Sequence, residues 1–277
     1  MNLISHENQL FLFITKIFLP MIDTHCHLYS EAFDGDIGKL MERAHTAGVT
    51  AFYLPAIDST THAAMIDTER KFSESCYAMM GLHPCSVKEN YGQELALIEA
   101  WLTKRKFAAI GETGLDFYWD KTFTKEQYIA LEKQVEWALQ YDIPLVLHTR
   151  NALQQTIDVI KKYSATGLKG IFHCFGGTLE EANQIIETGF YMGIGGVVTY
   201  KNSGLDEVLK HIDMKYLVLE TDAPYLSPVP FRGKTNESSY LGIIAKKIAE
   251  IKQISVEEVE RITTQNAVII FEAARPL

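Results

Sequence analysis

Short apolar, strand-like runs recur along this chain over residues 22–27, 50–55, 76–82, 107–112, 145–148, 170–174, 190–194 and 217–222. Between most of them lie amphipathic stretches such as 127–141, in which Tyr128, Leu131, Val135 and Leu139 return at helical spacing. No Pro/Gly/Ser-rich linker interrupts the pattern after Met21. Eight strand-then-helix units in one stretch predict an α/β fold of the (β/α)8 type, a closed parallel TIM barrel forming a single domain.

Five of these runs stop at residues able to bind a metal. The first leads through Met21 and Ile22 to His25 and His27. On a strand, side chains two positions apart share a face, so both imidazoles can reach one cation. The others stop at Glu112, His148, His173 and Asp222. A single histidine at the end of an apolar run is ordinarily a core or capping residue; five such runs together point to a site. These residues close the first, fourth, fifth, sixth and eighth runs at their C-terminal ends, where barrels of this kind build their active sites.

Ligand type then sets the chemistry. His25, His27 and Asp222 can hold one divalent ion, His148 and His173 a second, and the two oxygens of Glu112 can bridge them. Ions about 3.5–4 Å apart share a water, lower its pKa and stabilise the attacking and leaving oxygens in displacement at phosphorus. Asp222 is the candidate general base, so Glu112 and Asp222 are catalytic as well as ligating residues. Imidazole ligands suit Zn²⁺ or Mn²⁺, and phosphate chemistry frequently uses Mg²⁺.

Composition narrows the classes. A chain of 277 residues accommodates one barrel, which commonly takes about 250. Its 47% hydrophobic and 22% charged residues are ordinary for a soluble globular enzyme. A net charge of −9 argues against a protein that coats nucleic acid non-specifically, because that requires many Lys and Arg side chains on phosphates. It is compatible with a cleft that takes one strand end at metal ions, which supply the positive charge.

Cys26, Cys76, Cys85 and Cys174 show no zinc-ribbon or CxxC spacing, and a reducing, cytoplasmic setting fits them. Cys26 and Cys174 neighbour proposed ligands and are expected to face the opposite way, into the strand–helix layer. Before Met21, the apolar run over 10–19 is too short to span a bilayer, is broken by Lys16, and lacks a basic leader and a small-residue cleavage site. Residues 1–20 are expected to be an extension outside the fold, with the domain spanning 21–277 and no membrane association.

Six stretches resemble the TatD family of metal-dependent deoxyribonucleases: Asp23-Thr24-His25-Cys26-His27-Leu28, Gly111-Glu112-Thr113-Gly114-Leu115-Asp116, His148-Thr149-Arg150-Asn151-Ala152, His173-Cys174-Phe175-Gly176-Gly177, Glu220-Thr221-Asp222-Ala223-Pro224-Tyr225-Leu226 and Arg232-Gly233-Lys234. The match runs from Met21 nearly to the C-terminus, in order. The resemblance implies a (β/α)8 barrel, two catalytic divalent cations (Mg²⁺, Mn²⁺ or Zn²⁺) and hydrolysis of DNA phosphodiesters as a 3′–5′ exodeoxyribonuclease. The expected partner is DNA, as a single strand or a 3′ end. The chain departs from the family pattern where Asn236-Glu237-Ser238 replaces the usual Asn-Glu-Pro, and in the apolar segment before Met21. Neither departure touches a ligand.

Residues around the ligands are candidate substrate contacts. His83, in Gly81-Leu82-His83-Pro84, can contact a substrate phosphate or serve as a turn histidine before proline. Arg150, two residues after His148, can pair a phosphate oxygen bidentately. Arg232 and Lys234 lie on a glycine-containing loop after the last run, where their charge attracts a DNA end or is simply solvated. Phe117, Tyr118 and Trp119 can stack on a terminal base or pack under the barrel rim. Glu220 is expected to face the interior, where a buried carboxylate needs a partner and can orient a ligand. A hydrolase of amide or ester bonds is the alternative reading. A non-enzymatic metal protein is disfavoured, since structural zinc sites are closed tetrahedra without a bridging carboxylate.

Overall fold

The computed structural model describes residues 20–33 and 36–271, so the apolar run over 10–19 lies outside the described residues. Its strands are β1 (Met21–Asp23), β2 (Val49–Pro55), β3 (Cys76–Met79), β4 (Ile110–Asp116), β5 (Leu145–Arg150), β6 (Gly170–Phe172), β7 (Tyr191–Ile194) and β8 (Leu217–Leu219). The helices among the described residues are α1 (Ile37–Thr46), α2 (Ser59–Lys71), α3 (Tyr91–Leu102), α4 (Thr124–Tyr141), α5 (Leu153–Lys161), α6 (Leu179–Glu187), α7 (Leu205–His211), α8 (Leu241–Lys252) and α9 (Val256–Phe271). None of them is long and apolar enough to cross a membrane.

Every strand pairing is parallel and sequential, β1 to β3 in one sheet and β4 to β8 in another. Hydrogen bonds at two seams join the sheets into a ring. Between β3 and β4, Met80 N donates to Ala109 O at 3.1 Å and Gly111 N to Met80 O at 3.0 Å. Between β8 and β1, the amide and the hydroxyl of Thr24 each donate to Leu219 O at 3.0 Å. Parallel neighbours need long crossovers, and local signals start the helices that provide them. Asp58 with Thr61, and Thr178 with Glu181, form reciprocal capping boxes at the N-termini of α2 and α6.

Alternation along the strands sorts side chains between two cores. Phe52, Leu54, Leu145, Leu147, Leu217 and Leu219 pack in the layer beneath the helices, whereas Ala51, Tyr53, Val146, Ile171 and Val218 pack inside the ring. Helix α9 completes the inner core. Its Ala267, Ile270 and Phe271 join that cluster, and the Phe271 ring stacks on Tyr53 at 3.7 Å. Asn266 Nδ2 donates to the carbonyls of Met214 and Leu217 at the start of β8. The helix thus plugs the N-terminal end of the barrel and leaves the C-terminal end for polar chemistry.

The predicted runs match the strands in order, with displaced edges. β1 pairs regularly only to Asp23, because beyond it the amides of Thr24, Cys26 and His27 donate in turn to Leu219, Tyr53 and Ala223. Glu112 does not end β4: pairing with β5 is interrupted between Ile110 and Thr113 and resumes through Asp116. Such an irregularity re-aims a side chain. Phe271→Ala should cost about 3–5 kcal/mol in equilibrium urea unfolding, as expected for emptying a buried aromatic site. A loss below about 1 kcal/mol would show that α9 does not seal the inner core.

Candidate metal centre

All six sequence-predicted ligands converge at the C-terminal end of the barrel. Glu112 lies between them, 2% exposed, with its two oxygens facing different imidazoles. Oε2 is 3.1 Å from His25 Nε2 and 3.8 Å from His27 Nε2. Oε1 is 3.0 Å from His148 Nδ1, 3.6 Å from His83 Nε2 and 3.8 Å from His173 Nε2. Asp222 Oδ1 closes the group at 3.6 Å from His27 Nε2 and 3.8 Å from both His25 Nε2 and His173 Nε2. Its backbone is left-handed, φ 57°, a conformation that Asp tolerates better than most residues. Asp222 N donates to His25 O at 2.9 Å, which ties the turn after β8 to the segment after β1.

The donor sets suit a divalent ion. His25, His27 and Asp222 form one group with ligand atoms close enough to share an ion, His25, Glu112 and His173 a second, and His83, Glu112 and His148 a third. The outer nitrogens of three histidines are engaged elsewhere, which turns the inner nitrogen toward the site. His27 Nδ1 is 2.8 Å from the Tyr29 hydroxyl, which donates its own proton to Pro55 O at 2.5 Å and so accepts from the imidazole. His148 Nε2 is 2.9 Å from Asp116 Oδ2, leaving Nδ1 toward Glu112. His173 Nδ1 is 2.9 Å from Glu220 Oε1, an ion-pair distance at an angle poor for a hydrogen bond. His25 Nδ1 is likewise buried without a hydrogen-bond partner, and no carboxylate stands against it as Glu220 does against His173.

Electrostatics follow from this crowding. Burial pushes Glu112 up, but His25, His83, His148 and His173 around it hold the carboxyl well below the usual range. Asp222 is likewise lowered, burial being outweighed by His173, a hydrogen bond with His27, and His25. Burial pulls His173 down, yet Glu220, Asp222 and Glu112 together push it up to about 10. A cation bound here would compete with a proton for His173. His83 is pushed down to about 3 by burial and the adjacent His148. It is neutral, and its Nδ1 accepts from Cys85 N at 3.0 Å, so its proton sits on Nε2. That proton faces His148 Nδ1 at 3.2 Å, and the tautomer suits donation better than ligation.

The substrate candidates divide. His83 and Arg150 line the same cavity of about 770 Å³ as His27, Glu112, His148, His173 and Asp222. Arg232 and Lys234 do not line it. The Arg232 guanidinium lies 4.5 Å from the Tyr200 ring and the Lys234 ammonium 5.8 Å from that of Phe231. Of the aromatic trio, Phe117 packs on the core, whereas Tyr118 and Trp119 are 52% and 67% exposed at the rim. Cys26 is buried in the strand–helix layer as expected. Cys174 is not: its left-handed backbone, φ 48°, breaks the alternation and places it on the cavity wall.

Three contacts went unread in the sequence. Asp116 stands four residues beyond Glu112 on β4, an even spacing that puts both on one face, and this was the available signal. Tyr29 lies in the turn beyond β1, where strand spacing gives no guide. The partners of Glu220, His173 and the amide of Cys174 at 2.6 Å, come from another strand end and left no local trace.

A parallel barrel with imidazoles and carboxylates gathered at the C-terminal ends of its strands defines the class of metal-dependent barrel hydrolases. Within that class, the family model described as TatD related DNase matches residues 22–272, and the chain belongs to this family. The metal-dependent hydrolase YabD of Bacillus subtilis (strain 168) is 36% identical over 252 residues, covering 91% of this chain and 98% of that protein. The 3′-5′ ssDNA/RNA exonuclease TatD of Edwardsiella piscicida is 30% identical over 260 residues, covering 92% and 100%. Among solved structures, the TatD homolog YjjV from Escherichia coli K12 superposes with a TM-score of 0.86 at 28% identity, covering 91% of this chain and 98% of that one.

Asp116→Asn places an amide where His148 Nε2 needs an acceptor. The exchange should lower divalent-metal affinity about 10–100-fold in equilibrium dialysis against Mn²⁺ or Zn²⁺. An unchanged affinity would show that Asp116 does not orient His148 for a metal and would leave it the role of holding the turn at Tyr118 and Trp119.

Proposed function

We propose that this protein is a divalent-metal-dependent phosphodiesterase acting on DNA, a 3′–5′ exodeoxyribonuclease working at single strands or 3′ ends. The observation that carries the reading is Glu112, whose Oε2 faces His25 and His27 while Oε1 faces His148 and His173. One carboxylate between two imidazole sets suits a pair of ions, with His25, His27 and Asp222 on one and His148 and His173 on the other. Bound Mg²⁺, Mn²⁺ or Zn²⁺ would supply Lewis-acid activation of water and charge neutralisation at phosphorus. The similarity to an exonuclease named for single-stranded DNA and RNA supports the substrate class.

The protein's own groups complete the reaction. Asp222, ionised among imidazoles, accepts the proton of the attacking water. The water oxygen bonds to phosphorus as the bond from phosphorus to the sugar oxygen breaks, and the proton taken up by Asp222 passes through solvent to that leaving oxygen. The Arg150 guanidinium lies over the Tyr118 ring on the cavity wall, and its N–H edge can pair a non-bridging oxygen. His83 donates from Nε2 to another. Arg232 and Lys234 act at a distance, drawing a strand end to the mouth. Residues 21–277 constitute the catalytic domain, with 1–20 an extension outside it, and the four free cysteines fit a cytoplasmic setting.

Metal-stripped protein should digest a labelled oligonucleotide only after a divalent ion is restored, and Glu112→Ala should abolish this activity while lowering metal content. Near-normal turnover of that variant with both ions retained would exclude bridging, and cleavage of amides or esters alone would replace the phosphodiesterase reading. Asp222→Asn should cut turnover by several orders of magnitude with a smaller effect on thermal unfolding, because an amide takes no proton. If turnover and unfolding temperature fall in step, Asp222 is structural and the base lies elsewhere.

A further inference from the structure

We propose that Trp119, backed by Tyr118 and Arg150, is a stacking subsite for the unpaired 3′-terminal nucleobase of the substrate; the inference rests on the phosphodiesterase reading above. The two aromatic rings stand out at the rim for a local reason. Asp116 Oδ1 accepts from the amides of Tyr118 at 2.9 Å and Trp119 at 3.1 Å, and Asp120 beyond them pairs with Lys88 Nζ at 2.7 Å. The turn is thereby pinned on both sides. Tyr118 and Trp119 meet edge to face at 4.9 Å, and the Arg150 guanidinium lies over both, 3.9 Å from the first ring and 5.1 Å from the second. These are held surfaces, and Trp119 remains 67% exposed.

Their position connects them to the reacting centre. Trp119 and Arg150 line the same cavity as His148 and Glu112, with the half-exposed Tyr225 also on its wall. At about 770 Å³, the cavity has room for a whole small ligand rather than a phosphate alone. Asp116 links the two directly, since one of its oxygens holds His148 and the other holds the Trp119 turn. The chemistry favours a base. Every nucleobase has a π-face, so an indole beside a guanidinium binds any of them without sequence preference. A base within a duplex has its faces already covered by its neighbours. Net charge matters here as well: at −9 the protein is poorly suited to drawing its affinity from a broad phosphate-binding surface. Stacking supplies attraction that does not need one.

The test uses the metal-loaded protein and two single-stranded oligonucleotides, one with a normal 3′-terminal nucleotide and one whose 3′ terminus is a tetrahydrofuran abasic analogue. KM for the base-bearing end should be lower by about fivefold or more, the least that one stacked base contributes, with a smaller difference in kcat. Trp119→Ala should collapse that ratio to about one, and Trp119→Phe should keep much of it. Equal KM values for the two ends in the unsubstituted protein, or a ratio that survives Trp119→Ala, would overturn the subsite while leaving phosphodiester hydrolysis in place. Hydrolysis of neither oligonucleotide would remove the phosphodiesterase reading and the subsite with it.

Discussion

Closing a parallel sheet into a ring is the constraint on which the rest of this structure depends. Once each strand's amides and carbonyls are used sideways, a side chain points either to the helices or to the interior. The inner positions near the strand starts carry Tyr53, Val146, Ile171 and Val218, with Phe271 stacked beneath them. Two residues further along the same inner faces come His148 after Val146, His173 after Ile171 and Glu220 after Val218. The metal-binding cluster is therefore the polar upper layer of a stack whose lower layers are apolar.

That upper layer has to solve the cost of burying carboxylates. Glu112, Asp116 and Glu220 are at most 2% exposed, and none of them survives there without compensation. Imidazoles supply it for Glu112 and Asp116, and Glu220 adds the amide of Cys174. The arrangement also works in reverse, because Asp116 and Glu220 hold the outer nitrogens of His148 and His173 and orient their inner ones. Removing either partner leaves a buried group uncompensated.

Loops decide what approaches this layer. The turn after β4 carries Asp116 and Trp119 and joins the histidine cluster to the rim through one carboxylate. The loop after β8 is anchored differently, by the buried Asn236, whose Nδ2 donates to Thr221 O at 2.7 Å and Tyr225 O at 2.6 Å. It carries Arg232 and Lys234 over Tyr200 and Phe231, away from the cavity wall.

The order of the strands, the closed parallel architecture and the six residues that gather at the candidate site were legible in the sequence, because apolar runs and polar run-ends are local, period-two properties of the chain. Asp116 was within reach by the same spacing rule. What the tertiary structure alone decided is which imidazole nitrogen faces the site, which oxygen of Glu112 meets which histidine, and that Cys174 turns onto the cavity wall while Arg232 does not reach it. Those outcomes depend on register between strands distant in sequence, on the interruption in β4–β5 pairing, and on left-handed backbone at Cys174 and Asp222. Residue spacing carries no record of any of them, since each arises only when the ring closes and neighbouring strand ends compete for the same small volume.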